Sequence, residues 1–221
     1  MMSVGETPAI SILVPDLRSP TVGAAIRLRE LLAPLDVEIV GPDFGGGVCS
    51  LYRASGPFVT VPSRRLYRLP EFWWESRGID RAIRGRVVVA VKAYMNTVPV
   101  ALRLQAQGRA KAVVFLDEWD GAVLEPLSRG ARAARMWRHW WHPLEDVYYP
   151  RVERRIREAA AVWSTTTTLQ RRFGGEVIAM GVDTDRFQPQ PPAETAALRA
   201  SLGLSGFRVI GFGGVVRPHK G

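Results

Sequence analysis

Apolar residues in this chain alternate between short continuous runs and stretches with helical spacing, and the alternation repeats down its length. Residues 9–15 are apolar on both faces, as a strand covered on both sides of a parallel sheet must be. From about residue 21 to 33, Val22, Ala25, Ile26, Leu28 and Leu32 recur on one side of a helix. Further strands are predicted at 36–42, 58–62, 86–94, 111–116, 160–164 and 176–180. Helices are predicted at 70–84, 97–107 (ended by Gly108), 144–161, 165–173 and 193–202. In 144–161 the pairs Glu153–Arg157 and Arg154–Glu158 have the spacing that supports an exposed helix. Trp73 and Trp74 are expected in the core or at an interface. A last apolar run, Val209 to Phe212, reads as one more strand.

Strands alternating with helices predict a three-layer α/β sandwich, Rossmann-like, with a mostly parallel sheet. Residues 1–189 are expected to form this N-terminal domain and 190–206 a linker. Residues 207–221 then read as the first strand and loop of a second Rossmann-like domain, truncated at its start. That final loop joins Gly213 and Gly214, where backbone can approach a ligand, to the cations Arg217 and Lys220. Strand, glycine turn and cations are the first half of a phosphate-binding βα unit. The triple glycine Gly45–Gly47 is instead a turn, because neither a helical pattern nor a cation follows it.

In open parallel sheets, ligands collect at the carboxyl ends of the strands. Lys92 and Tyr94 stand at one such end, and Asp117, Glu118 and Asp120 at another. Lys92 is a binding candidate, with a solvated rim lysine as the commoner role for its type. Carboxylates there accept hydrogen bonds from hydroxyls and can take a proton from one. The alternative is a capping Asp120 and a solvated Glu118.

The segment 128–142 carries Arg129, Arg132, Arg135 and Arg138 three apart, with Met136, Trp137, Trp140 and Trp141 largely opposite. A basic helix with interfacial tryptophans fits an anionic membrane surface, with Arg132, Arg135, Trp137, Arg138 and Trp141 as its face. A core-packed helix with a solvated arginine side is the alternative. His139 and His142 have metal-like spacing but lack further ligands nearby, and no metal is expected.

Thirty Lys+Arg against 21 Asp+Glu give a net charge of +9, which admits nucleic acid, anionic membrane or phosphorylated substrates as partners. No nucleic-acid motif or stacking platform accompanies the charge, so nucleic acid is set aside. The one cysteine, Cys49, forbids an intrachain disulfide and is read as a small buried residue. With no basic leader and no long apolar run, a cytoplasmic protein is expected, with a peripheral place on the inner membrane surface as an option.

Gly181-Val-Asp-Thr-Asp-Arg-Phe-Gln-Pro189, followed by the strand and Arg-Pro-His-Lys-Gly221, resembles the interdomain join of family 4, group 1 glycosyltransferases. Those enzymes pair an N-terminal acceptor domain with a C-terminal nucleotide-sugar domain. In the second motif Val215 stands where the family usually has arginine. The stretch from Glu153-Arg154 to Ser164 also resembles the end of the family's first domain. The resemblance implies a retaining transfer of sugar from a nucleotide-diphosphate sugar to an acceptor hydroxyl, with no cofactor beyond that co-substrate and no metal. It implies that Arg217, Lys220, Gly214 and Gly23 face the donor diphosphate. Asp117 and Asp120 are then the catalytic carboxylates, and Thr21, Lys92, Gly181 and Asp183 the acceptor cleft. The acceptor is a sugar or a lipid-linked glycan. Thr21 has a second reading, as the N-cap of the first helix. The donor-binding glutamates of the family's second domain are absent, so the chain alone is expected not to transfer sugar. The rival expectation is a non-catalytic α/β module that binds a membrane or a partner.

Overall fold

The computed structural model describes residues 9–185 and 187–211. The donor-loop residues Gly214, Arg217 and Lys220 lie outside them. Seven parallel strands form one sheet: β1 (Ile10–Leu13), β2 (Val37–Asp43), β3 (Phe58–Pro62), β4 (Val87–Val91), β5 (Lys111–Leu116), β6 (Ala161–Ser164) and β7 (Glu176–Val177). Their spatial order is β3-β2-β1-β4-β5-β6-β7. The chain therefore winds outward from β1 in one direction and then from β4 in the other. β1 lies between β2 and β4, with Ile10 opposite both Val37 and Val87.

The two-residue period of a strand divides the core between the two faces of the sheet. Leu13, Val40, Val88, Ala90 and Leu116 point to one face. There they meet α2 (Phe72–Ala82), α3 (Val98–Ala106) and α6 (Thr167–Phe173) through Phe72, Ile79, Leu104, Leu169 and Phe173. Ile12, Ile39, Val89, Val91 and Phe115 point to the other, against Val22, Ile26 and Leu28 of α1 (Val22–Leu31). The result is the expected three-layer, Rossmann-like α/β architecture, with the sheet parallel throughout.

Several expectations are corrected. The single helix over 144–161 is instead a 3-10 turn at Asp146–Tyr148, a short α-helix at Tyr149–Glu153 and another 3-10 turn at Ile156–Glu158. Pro150 has no N–H to continue the ladder through this stretch. The two supporting ion pairs do not form. Glu153 turns inward and accepts from Trp119 Nε1 (3.0 Å) and Gly121 N (3.1 Å), while Glu158 pairs with Arg155 at 2.8 Å. Of the two places expected for Trp73 and Trp74, the core is excluded, because Phe72, Ser76 and Ile79 take the inward positions of α2 and both tryptophans are exposed. The strand expected at 176–180 is limited to Glu176 and Val177.

The chain divides into two compact units, the first ending at Gly181 and the second beginning at Val182. Val182 and Phe187 are exposed. In the second unit, a helix spans Pro192–Ser201. Residues 207–211 form no strand, since the described residues of that unit supply no other strand to pair with.

Candidate functional site

The winding reverses between β1 and β4, so the loops leaving their carboxyl ends separate and leave a crevice. A cavity of about 430 Å³ occupies that crevice. The loop after β1 contributes Asp16, Arg18, Ser19 and Thr21, and the end of β2 contributes Phe44. Tyr94 comes from the loop after β4, and Tyr67, His142 and Leu144 close the far side. Asn96 ties the two loops together: it is fully buried, and its Nδ2 donates to Pro15 O at 2.7 Å. Arg18 is held by Asp16 (3.4 Å) and lies over the Phe44 ring, 5.3 Å from its centroid. The lining therefore mixes charged and hydroxyl groups with aromatic faces.

Thr21 lines this cleft. Its hydroxyl lies 2.8 Å from Ser19 Oγ, and it makes no capping hydrogen bond although it precedes α1. Tyr94 packs edge-on against Tyr149, with ring centroids 5.0 Å apart. Burial raises the pKa of both phenols, although the hydrogen bond from Tyr149 works in the opposite direction on Tyr94. The His142 ring is tilted by 33° to Tyr67 and stands edge-on to Trp141, with centroids 5.6 and 5.4 Å away.

Lys92 stands at the end of β4 in a left-handed conformation (φ 67°), which a lysine rarely adopts. The turn is pinned by Thr97, whose hydroxyl donates to Lys92 O at 2.7 Å. The Lys92 side chain is buried, and three carboxylates converge on its ammonium. Asp120 Oδ1 is 3.2 Å away, Asp117 Oδ1 is 3.4 Å away, and Glu118 accepts a direct hydrogen bond. Burial opposes the charge on Lys92, but Asp120, Asp117 and Glu118 outweigh it and hold its pKa above the ordinary lysine value. One ammonium cannot neutralise three carboxylates. Asp120 is the most buried of them, and desolvation raises its pKa despite Lys92, with Glu118 and Asp117 adding repulsion. Asp117 remains 31% exposed. The trio thus binds a cation that the chain itself supplies. Among the described residues no group of three His, Cys, Asp or Glu side chains is arranged to hold a metal ion.

The other expected site residues fall elsewhere. Gly23 is in α1, where a Cβ would stand 2.6 Å from the Tyr52 hydroxyl, so its lack of a side chain admits that ring. Gly181 is the last residue of the first unit. Asp183, in the second unit, accepts from Asp185 N at 3.0 Å through its side chain and shapes a local turn. On the basic helix, α4 (Arg129–His139), Arg135 is bound to the buried Asp146 by two hydrogen bonds of 2.8 and 2.5 Å. Arg132 donates to Leu127 O and Glu125 O, whereas Trp137, Arg138 and Trp141 are exposed.

Sequence reasoning missed Arg18, Tyr67 and His142 as cleft residues. Arg18 follows a strand end and could have been found by that rule. Tyr67 lies five residues past the end of β3 and was open to the same rule, whereas His142 follows no strand, and its place depends on a long-range contact, Leu69 N to Trp141 O at 2.9 Å. No helix among the described residues is long and apolar enough to cross a membrane.

No family profile matches the chain, and no curated protein sequence matches it. Among solved structures, it is similar to HepE from Anabaena in complex with UDP and glucose. That likeness has 16% identity, a TM-score of 0.55, and covers 89% of this chain and 50% of that one. A second is UGT89C1 from Arabidopsis thaliana complexed with UDP, with 14% identity, a TM-score of 0.41, and 89% and 55% of the two chains. The chain spans about half the length of each. The likeness to HepE shows a fold shared with a protein whose crystal structure contains UDP and glucose.

Proposed function

We propose that this chain is the acceptor-side half of a retaining group 1 glycosyltransferase, which moves a sugar from a nucleotide-diphosphate sugar to an acceptor hydroxyl. The observation that carries the reading is the cleft at the β1/β4 reversal. It has the size of a small-molecule site and combines hydrogen-bonding groups with ring faces. Asp16, Arg18, Ser19, Thr21 and Tyr94 can bond to sugar hydroxyls, while Phe44 and Tyr67 offer faces to the apolar side of a pyranose. The shared fold with HepE supports the same reading.

In this proposal Asp117, the more open of the two aspartates, is the carboxylate that takes the acceptor proton. Asp120 fixes Lys92, and with it the turn that presents Tyr94. Arg217 and Lys220 neutralise the leaving diphosphate, where negative charge develops, and Gly214 lets backbone approach it. The co-substrate is the nucleotide-diphosphate sugar, with no metal or further cofactor.

A saccharide titration followed by NMR tests the reading. Mono- and disaccharides are expected to shift the His142 imidazole and Tyr94 ring signals, and Arg18→Ala to weaken that response. A broad panel that leaves both signals unmoved overturns the acceptor assignment. The purified chain is expected to bind saccharide without transferring sugar, and transfer from a UDP-sugar would overturn that narrower claim.

A further inference from the structure

The helix α4 has no buried residue, yet one of its sides is tied to the protein. Arg135, Met136 and His139 are the half-buried positions, and Arg135 is locked to Asp146. At 100° per residue, the opposite side is the stripe Gly130, Ala133, Ala134 and Trp137, and Trp140 and Trp141 follow in the turn just past the helix end. This stripe carries no charge. Trp137 is 82% exposed, Trp140 57% and Trp141 40%. Arg129 borders the stripe on one side and Arg138 on the other, and both are exposed. The sequence places arginines opposite tryptophans. The structure adds the direction: Arg135, held by Asp146, faces the protein, and the tryptophans are exposed.

A protein surface seldom exposes three tryptophans on one helix and the turn that ends it without something to cover them. We propose that this face of α4 docks on an anionic phospholipid bilayer. The tryptophans would seat at the headgroup–acyl boundary, where an amphipathic ring satisfies both its apolar body and its N–H. Arg129 and Arg138 flank them at the height of the lipid phosphates. Charge complementarity favours the bilayer over a second copy of this chain, since each copy carries a net +9 and would repel its like. The exposed Arg68 adds a further cation beside Trp141, in the groove that Tyr67, Arg68 and Trp141 line. Tyr67 also lines the cleft at the β1/β4 reversal, so the docked face adjoins the mouth of that cleft.

The test is co-sedimentation with phosphatidylcholine vesicles, with and without phosphatidylglycerol, at low and high salt. The chain is expected to bind the phosphatidylglycerol vesicles, to shift its tryptophan emission to the blue, and to release as salt rises. Trp137→Glu, at a position too exposed to threaten folding, is expected to abolish the emission shift and most of the binding. The Arg129→Gln/Arg138→Gln pair is expected to bind about 30-fold more weakly, each arginine being worth about one kcal/mol at such a surface. Arg77→Gln/Arg81→Gln on α2 removes the same charge elsewhere and should leave binding nearly unchanged. Absence of binding at low salt overturns the proposal. So does binding that Trp137→Glu does not weaken, or a loss from the α2 pair equal to that from the α4 pair. A self-association removed by Trp137→Glu, with no vesicle binding, would assign the face to a second copy instead.

Discussion

Lys92 Nζ stands 3.2 Å from Asp120 Oδ1, and both side chains are shut away from solvent beneath the loops that form the cleft. The strained backbone of Lys92 is held by Thr97, and its charge by three carboxylates. Lys92→Met removes the only ammonium in the cluster and leaves the acids facing one another. The expected cost is about 3–5 kcal/mol, as for breaking a buried pair from one side. The wild-type Lys92 pKa is raised. Its contribution is therefore complete below the unfolded lysine value of about 10.4 and is lost only as pH rises through the higher folded value. In the variant the buried Asp120 loses the cation that opposed the rise of its pKa, so the cost of its charge fades as pH falls toward about 4. Urea denaturation across pH should show the gap to wild type narrowing in acid. A gap that stays constant would mean that the loss is one of packing rather than charge.

Asp120 carries the complementary prediction. Burial raises its pKa above the unfolded value, and the pull of Lys92 does not reverse this. A raised carboxyl contributes stability that is full below the unfolded pKa, about 3.9, and is lost as pH rises through the folded value. Asp120→Asn cannot titrate and escapes that loss. Relative to wild type, the variant should become steadily more favourable as pH rises from about 4 toward neutral. Chemical denaturation of both proteins at several pH values gives the answer. Parallel curves, or a wild type that gains on the variant with pH, would show that Lys92 dominates the aspartate after all.

The sheet was legible because its strands announce themselves: Ile12, Leu13, Val88 and Val89 are apolar on both faces, as only a covered parallel strand allows. Thr21 came only with the family resemblance, whereas the strand-end rule reached Lys92, Asp117 and Asp120. It could not show that Lys92 would answer the carboxylates rather than a ligand, since that requires the β4 and β5 ends side by side. The helix over 144–161 misled because its apolar stripe is real, while Pro150 and the inward turn of Asp146 and Glu153 break the backbone pattern. Among the arginines of α4, spacing alone gives each the same standing. Only Asp146, eleven residues from Arg135, distinguishes the tethered one.

On the face of the sheet covered by α2 and α3, Arg103 of α3 grips Asp80 of α2 with a two-pronged contact, Nε to Oδ2 at 2.7 Å and Nη2 to Oδ1 at 2.6 Å. Lysine can reach only one of those oxygens at a time. Arg103→Lys is expected to cost about 1–2 kcal/mol, near the value of one hydrogen bond to a charged group. Arg103→Met leaves the buried Asp80 without its cation and should cost about 3 kcal/mol or more. Arg109 does not replace it, since it donates to the Asp80 carbonyl rather than to its carboxylate. In a double-mutant cycle, Asp80→Asn should recover a large part of the Arg103→Met loss. Additive losses would show that the two side chains are not coupled.

At the opposite end of the sheet, Gly85 lies against β1 with no room for a side chain. A Cβ there would press on Ser11 N and stand 2.7 Å from Ser11 Oγ and 2.8 Å from the Ile10 carbonyl carbon. Backbone of a central strand cannot yield as a flexible side chain can. The same serine is fully engaged: its Oγ accepts from Gly85 N at 2.8 Å and donates to Glu38 at 2.6 Å, and Glu38 also binds Arg84 at 2.8 Å. Gly85→Ala must therefore spread β1 from its neighbour and stretch this network, at an expected cost of about 1–3 kcal/mol. Gly108 offers the contrast, because it has a left-handed φ of 68° and nothing within reach of a Cβ. Gly108→Ala meets only backbone strain, about 1 kcal/mol. Thermal and urea unfolding of the two variants should rank Gly85→Ala as the more damaging, and the reverse order would mean that conformational strain outweighs crowding in this fold.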